Sequence, residues 1–282
     1  MIILVVIATM VGCTVEHRYA TEEEVLALLR RELPDKNFEI TNYQRYVSGI
    51  GPYVDSIRIR YTIQCVDTGV SFATHRGHGA DYVNAVWGGG VSRWRRGFQE
   101  FFEKTVASIY PSWIPRESSY EAHLSMRSGD PYDNSPNNLY FVLADREFVE
   151  QTIENNPTFE ILLLNMASFE MPMNMRFSAS FHVYMDEFNL EYELERIHNF
   201  FRGFVLPLQE YSVGRTENQV MISINITFGA DDLGRMAYRV SDFLWEYRSW
   251  VDNERLSEEK LIEYDFSGYF SRWENGRIIE YD

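Results

Sequence analysis

Apolar and polar residues alternate along Ile57-Arg-Ile-Arg-Tyr-Thr-Ile-Gln-Cys65, so that Ile57, Ile59, Tyr61, Ile63 and Cys65 share one face. That period of two predicts a half-buried strand over 54–66. The same alternation runs through Met175, Phe177, Ala179, Phe181, Val183 and Met185, and again through Val220, Ile222, Ile224, Ile226 and Phe228. Shorter strands are predicted over 38–47, before the Gly49-Ile-Gly-Pro52 turn, over 70–74, after Asp67-Thr-Gly69, and over 139–144. Strands over 261–270 and 277–281, joined by a hairpin turn at Asn275-Gly276, are expected to close the chain.

Helical spacing appears elsewhere. Thr21 with Glu24 forms a capping-box pattern ahead of Val25, Leu28, Leu29 and Leu33, and Pro34 stops that stripe. A short helix is expected over 81–87, then a break at Gly88-Gly-Gly90. A new helix capped by Ser92 comes next, with Phe98, Phe101, Phe102, Thr105, Val106 and Ile109 on its apolar side. Asp145 is placed to cap a helix over 145–155, and 159–166 fits helix or strand equally. Leu190, Leu194, Ile197, Phe201, Phe204 and Leu208 make a further stripe. Leu233, Met236, Val240, Phe243, Tyr247 and Trp250 make the last one, with Asp231 or Asp232 as its cap.

Strands with one polar face belong to sheets covered by helices on a single side. The expected fold class is therefore α+β, with helices packed on one face of small antiparallel or mixed sheets, in two related subdomains. Pro111, Pro115, Pro131 and Pro136, together with Asp130-Pro-Tyr-Asp-Asn-Ser-Pro-Asn-Asn138, mark 114–138 as a linker. It divides an N-terminal α+β domain at 21–113 from a C-terminal one at 139–282.

Composition narrows the function. The net charge of −16 argues against nucleic acid, which needs a basic footprint, and against direct attraction to anionic lipid. Ile2 to Val11 is apolar apart from Thr9, and Gly12 precedes Cys13, after which the chain turns polar. Residues 1–13 thus read as a lipoprotein signal ending at the acylated Cys13, with 14–20 as a tether. None of the first twelve residues is Lys or Arg, and a buried strand rich in Ile and Val is the other account of the run. The run is too short to span a bilayer, which takes about 20 residues. With Cys13 acylated, Cys65 is left single on the apolar face of its strand, and no disulfide framework is expected.

Behind that start come an early capped helix, two or three strands, and Asp81-Tyr82 with Trp87 before an amphipathic helix. Over residues 13–113 this resembles uncharacterised exported lipoproteins of Gram-positive bacteria. The resemblance implies a lipid-anchored, outward-facing position on the cell membrane and supplies no catalytic residue.

Candidate chemistry is sparse. His75 and His78, with Asp81, are too few for a zinc site, and read as a polar loop between strand and helix. Glu195-x-x-His198 occurs once where a di-iron bundle needs it twice. Asp130 to Asn134 lacks calcium-loop spacing, so neither a metal nor another cofactor is expected. Arg93, Arg95 and Arg96 crowd what is expected to be the first turn of a helix, against its dipole. With the exposed amides of Gly89 and Gly90 and the cap at Ser92, they would form an anion pocket; pairing with glutamates is the alternative. The expected function is non-enzymatic binding or scaffolding of an envelope ligand or protein. An envelope hydrolase with a carboxylate pair scattered through the fold is the alternative.

Overall fold

The structure is a computed structural model that describes residues 20–48, 56–111, 113, 120–128, 146–165, 173–185, 187–210, 219–232, 235–249, 251–252, 256–274 and 277–280. It is an α+β protein with two sheets, one of three strands and one of six. The chain divides into two compact units, residues 1–86 with 142–144, and residues 87–141 with 145–282.

In the first unit, helix α1 (Glu22–Glu32) starts at Thr21, whose side chain accepts from the Glu24 amide while Glu24 accepts from the Thr21 amide. This satisfies two backbone donors that the first turn leaves open. Strands β1 (Phe38–Ser48), β2 (Ser56–Cys65) and β3 (Ser71–Thr74) pair antiparallel in that order. Phe38, Phe72 and Tyr82 meet edge to face, with centroids 5.5–5.9 Å apart, over Ile63 and Cys65. Cys65 is buried and unbridged, as its strand face predicts. Gly77 has φ +82, and a Cβ there would lie 2.5 Å from the Val25 carbonyl oxygen, so glycine is required where β3 turns toward the next helix. Glu32 Oε2 accepts from the Gly79 amide at 2.7 Å and so caps that helix from outside.

Helix α2 (Gly79–Ile109) runs without interruption through Gly88–Gly90, so neither the expected break nor a second start at Ser92 exists. The Ser92 hydroxyl instead donates to the Gly88 carbonyl one turn back. Three glycines cost about 1 kcal/mol each against alanine, but Trp94, Phe98, Phe102 and Val106 are wholly buried along the rest of the stripe. Burying one large apolar side chain contributes about 1.5–3 kcal/mol, which outweighs the local penalty.

The second unit stacks helices on one face of a sheet ordered β4 (Tyr120–Ser128), β5 (Met173–Tyr184), β6 (Gln219–Asp232), β7 (Arg235–Arg248), β8 (Phe270–Glu274) and β9 (Arg277–Glu280). Among the described strands only β5 and β6 are parallel, and the crossover between them carries α5 (Leu190–Phe200), a π-helical turn (Phe201–Val205) and α6 (Leu206–Glu210). Helices α3 (Arg146–Asn155) and α4 (Phe159–Asn165) precede β5, so the stretch that fits helix or strand is helix over 159–165. Phe98 packs on Phe177 at 5.4 Å, Phe102 on Phe181 at 5.4 Å, and Phe201 on Trp245 at 4.8 Å, joining the helical layer to the sheet.

Four expectations are corrected. The stretch 120–128, placed in a linker, is strand β4, paired with β5 from Tyr120↔Phe181 to Ser128↔Met173. The units divide between Val86 and Trp87 rather than within 114–138, because α2 beyond that point belongs to the larger core. The helix expected after Asp231 or Asp232 is strand β7: Phe243, Trp245 and Tyr247 are buried and Leu244 is exposed, a period of two set by pairing along β6. The expected strand 261–270 is mostly helical, with Ser257 capping α7 (Glu258–Glu263) and a 3₁₀ turn (Ser267–Tyr269) leading into β8. The two units also differ in topology, one sheet wholly antiparallel and one mixed. Cys13, the tether up to residue 19, the strand at 139–144, the cap Asp145 and the Asn275-Gly276 turn lie outside the described residues, while Ala20 at the end of the tether accepts from the Tyr61 hydroxyl at 2.8 Å.

Candidate functional site

The outer face of the three-stranded sheet is built by a bulge. Ile40 pairs with Ile63, but the next pair is Asn42 with Thr62, so Thr41 is an extra residue on β1. Beyond it the side chains of β1 change sides. Gln44 then stands opposite Arg60, and Tyr46 opposite Arg58, on the polar face of β2. On β3, Tyr61 pairs with Thr74, which brings the following His75 beside Arg60.

Tyr46, Arg58, Arg60 and His75 line a cavity of about 520 Å³, a small-molecule size. His75 Nδ1 lies 2.8 Å from the Ile59 carbonyl oxygen. A carbonyl only accepts, so Nδ1 carries the hydrogen and only Nε2 remains for a ligand. The Tyr46 hydroxyl donates to Gln44 Oε1, fixing the ring at the rim. Arg58 and Arg60 are exposed and make no ion pair with any carboxylate among the described residues. Two guanidiniums, an imidazole and a phenol converge here in a chain with 42 Asp and Glu against 26 Lys and Arg. Such a set suits the hydrogen-bonding of carboxylate or phosphate oxygens.

The anion pocket expected at Gly89, Gly90, Ser92, Arg93, Arg95 and Arg96 has a different geometry. These residues sit inside α2, where the backbone amides serve the helix and no N-terminus is presented. Gly90 faces Ile153, with 2.8 Å from an added Cβ to the nearest side-chain atom. Arg95 Nε donates to the Leu124 carbonyl at 2.8 Å, joining the helix to β4 rather than to a glutamate. Arg93 and Arg96 are exposed.

Among the described residues of the second unit, two carboxylates are buried, Asp242 and Glu193. Asp242 takes Arg239 Nε at 2.6 Å on one oxygen and Trp273 Nε1 at 2.5 Å on the other, with the Arg239 guanidinium 4.3 Å over the Trp273 ring. His182 lies near them across the sheet, and burial first, then Arg239, lowers its pKa while Asp242 opposes the shift. Glu193 accepts from the Tyr110 hydroxyl at 2.9 Å and from Arg196 at 3.0 Å. Burial pushes the Glu193 carboxyl up, and Tyr110 and Arg196 pull it back. Asp242 is on the sheet face turned from the helices and Glu193 is in the helical layer, so the sheet separates them and they do not converge as a catalytic pair.

Among the other motifs, His78 approaches Glu32 at 3.8 Å, and the His198 ring packs on Phe266 at 4.9 Å. No group of three potential metal ligands gathers among the described residues. The sequence pattern marked Arg58 and Arg60 only as a polar strand face and His75 as loop. Alternating arginines opposite a tyrosine on a neighbouring strand would have been the signal, but the Thr41 bulge hides that register. Comparison with protein-family models, curated proteins and solved structures found no match to this chain.

Proposed function

We propose that this chain is a non-enzymatic binding protein of the cell envelope, held to the membrane surface by lipid on Cys13, which captures an anion at Tyr46, Arg58, Arg60 and His75. The observation that carries this proposal is a pair of arginines without carboxylate partners among the described residues, at a cavity of about 520 Å³ in a chain of net charge −16. A cationic face that served only solubility would be expected to draw in some of the carboxylates that surround it. The anchor is supported by the apolar run ending at Gly12-Cys13.

Phosphate binding tests the site. A ligand that binds only the folded state stabilises it by about 2.7 kcal/mol at a hundredfold excess over Kd. Phosphate should raise the unfolding free energy of the wild type, and the double variant Arg58→Ala, Arg60→Ala should lose that increment while keeping its circular dichroism spectrum. An equal increment in both proteins removes the site. The anchor has its own test: Cys13→Ala should leave the membrane fraction, and retention of that variant would contradict lipid anchoring.

A further inference from the structure

We infer that the ligand carries two anionic groups about 7 Å apart, one for each arginine, and is a small molecule rather than a polymer; this rests on the anion-binding reading above. Arg58 and Arg60 are two residues apart on β2 and point to the same side, as their pairing with Tyr46 and Gln44 requires. A strand rises about 3.3 Å per residue, so the two side chains leave the backbone about 7 Å apart. Each planar guanidinium presents a fork that fits one carboxylate or phosphate group, and two such forks on side chains rooted about 7 Å apart favour two charges on one molecule.

The remaining groups match that arrangement. Tyr46 stands beside Arg58 and offers a ring face, its hydroxyl being bonded to Gln44 Oε1, while Gln44, with its amide nitrogen left to donate, and His75 flank Arg60. Charge also limits the size of the ligand. A long polyanion that overran the cavity would meet the field of a chain carrying −16 overall. A small dianion stays within about one Debye length, 8–10 Å, of the two guanidiniums, where they dominate.

Isothermal titration of the full chain with acetate and with the straight-chain dicarboxylates from malonate to suberate tests the inference. Affinity should peak at intermediate length, near adipate, and exceed that of acetate by roughly tenfold or more, the scale of one added charge-assisted contact. Arg58→Ala and Arg60→Ala should each flatten the length dependence and reduce the best dicarboxylate to acetate-like binding. If acetate and all dicarboxylates bind alike and both variants weaken them equally, the anion site stands and the dianion inference falls. If no carboxylate or phosphate binds, the site itself is wrong. Long-chain polyphosphate that binds more tightly per charge than adipate would overturn the exclusion of polymers.

Discussion

Arg239 and Asp242 face the same side of β7 although they are three residues apart in a strand. Phe228 pairs with Ser241 and the next β6 residue, Gly229, pairs with Arg239, so Val240 is an extra residue that turns Arg239 over. The bulge brings the guanidinium to Asp242 at 2.5–2.6 Å and over Trp273. Asp242 is 3% exposed, whereas the Arg239 side chain is 40% exposed.

Removing Arg239 should therefore leave a buried carboxylate held only by Trp273. Arg239→Ala should destabilise the fold by about 1–3 kcal/mol, less than breaking a fully buried pair because the arginine is partly in solvent. Adding Asp242→Asn should recover part of the loss, since a neutral amide no longer needs a cation. Urea unfolding of the two variants decides it, and a loss below about 0.5 kcal/mol would show that the pair contributes nothing.

Glu193 gives the fold a pH dependence of known sign. Burial raises its carboxyl above the ordinary glutamate value in the folded chain, so the folded state holds the proton more firmly than the unfolded one. The stability from this group is complete below the ordinary value and is lost as pH rises through the raised one. Glu193→Gln, which mimics the protonated form, should flatten the fall in Tm over that interval. An unchanged slope would remove Glu193 from the account. Tyr110→Phe, by contrast, takes away a donor from a buried carboxylate and should cost about 1–3 kcal/mol at neutral pH.

The glycines of α2 separate a continuous helix from a broken one. Nothing lies within 4 Å of a Cβ added at Gly89, so Gly89→Ala should stabilise by about 0.5–1 kcal/mol. At Gly97 the added Cβ would sit 2.6 Å from Phe159 Cβ, and Gly97→Ala should destabilise by about 1–3 kcal/mol through overpacking against α4. Thermal unfolding of the two variants should move in opposite directions. Destabilisation by Gly89→Ala would restore the turn that the glycine run suggests.

Much of the fold was legible where one periodicity had no rival. The alternation of β2, β5 and β6 predicted the observed strands, and the stripe from Leu190 to Leu208 predicted the helical run of α5, the π-helical turn and α6. Strand β7 misled because Val240, Phe243 and Tyr247 fall at helical spacing as well, and only the long pairing with β6 chooses between them. The glycines of α2 misled for a related reason, a local penalty set against tertiary burial invisible from neighbouring residues. The site was the least legible part. The bulges at Thr41 and Val240 each insert one residue and reverse the facing of the strand on one side of it, and no composition signal marks such an insertion. Arg58, Arg60 and His75 were all visible as polar positions, but their meeting with Tyr46 depends on that register.

Anion capture on the three-stranded sheet is tested most directly by following arginine side chains by NMR during a phosphate titration. The Nε–Hε resonances of Arg58 and Arg60 should shift together and saturate with one Kd, and the His75 ring should track the same curve. Those of Arg93, Arg95 and Arg96 should stay in place, because the backbone amides around them serve the helix interior and Arg95 is already bonded to the Leu124 carbonyl. Saturable shifts confined to Arg93, Arg95 and Arg96, or no saturable shift at any arginine, would contradict the proposal.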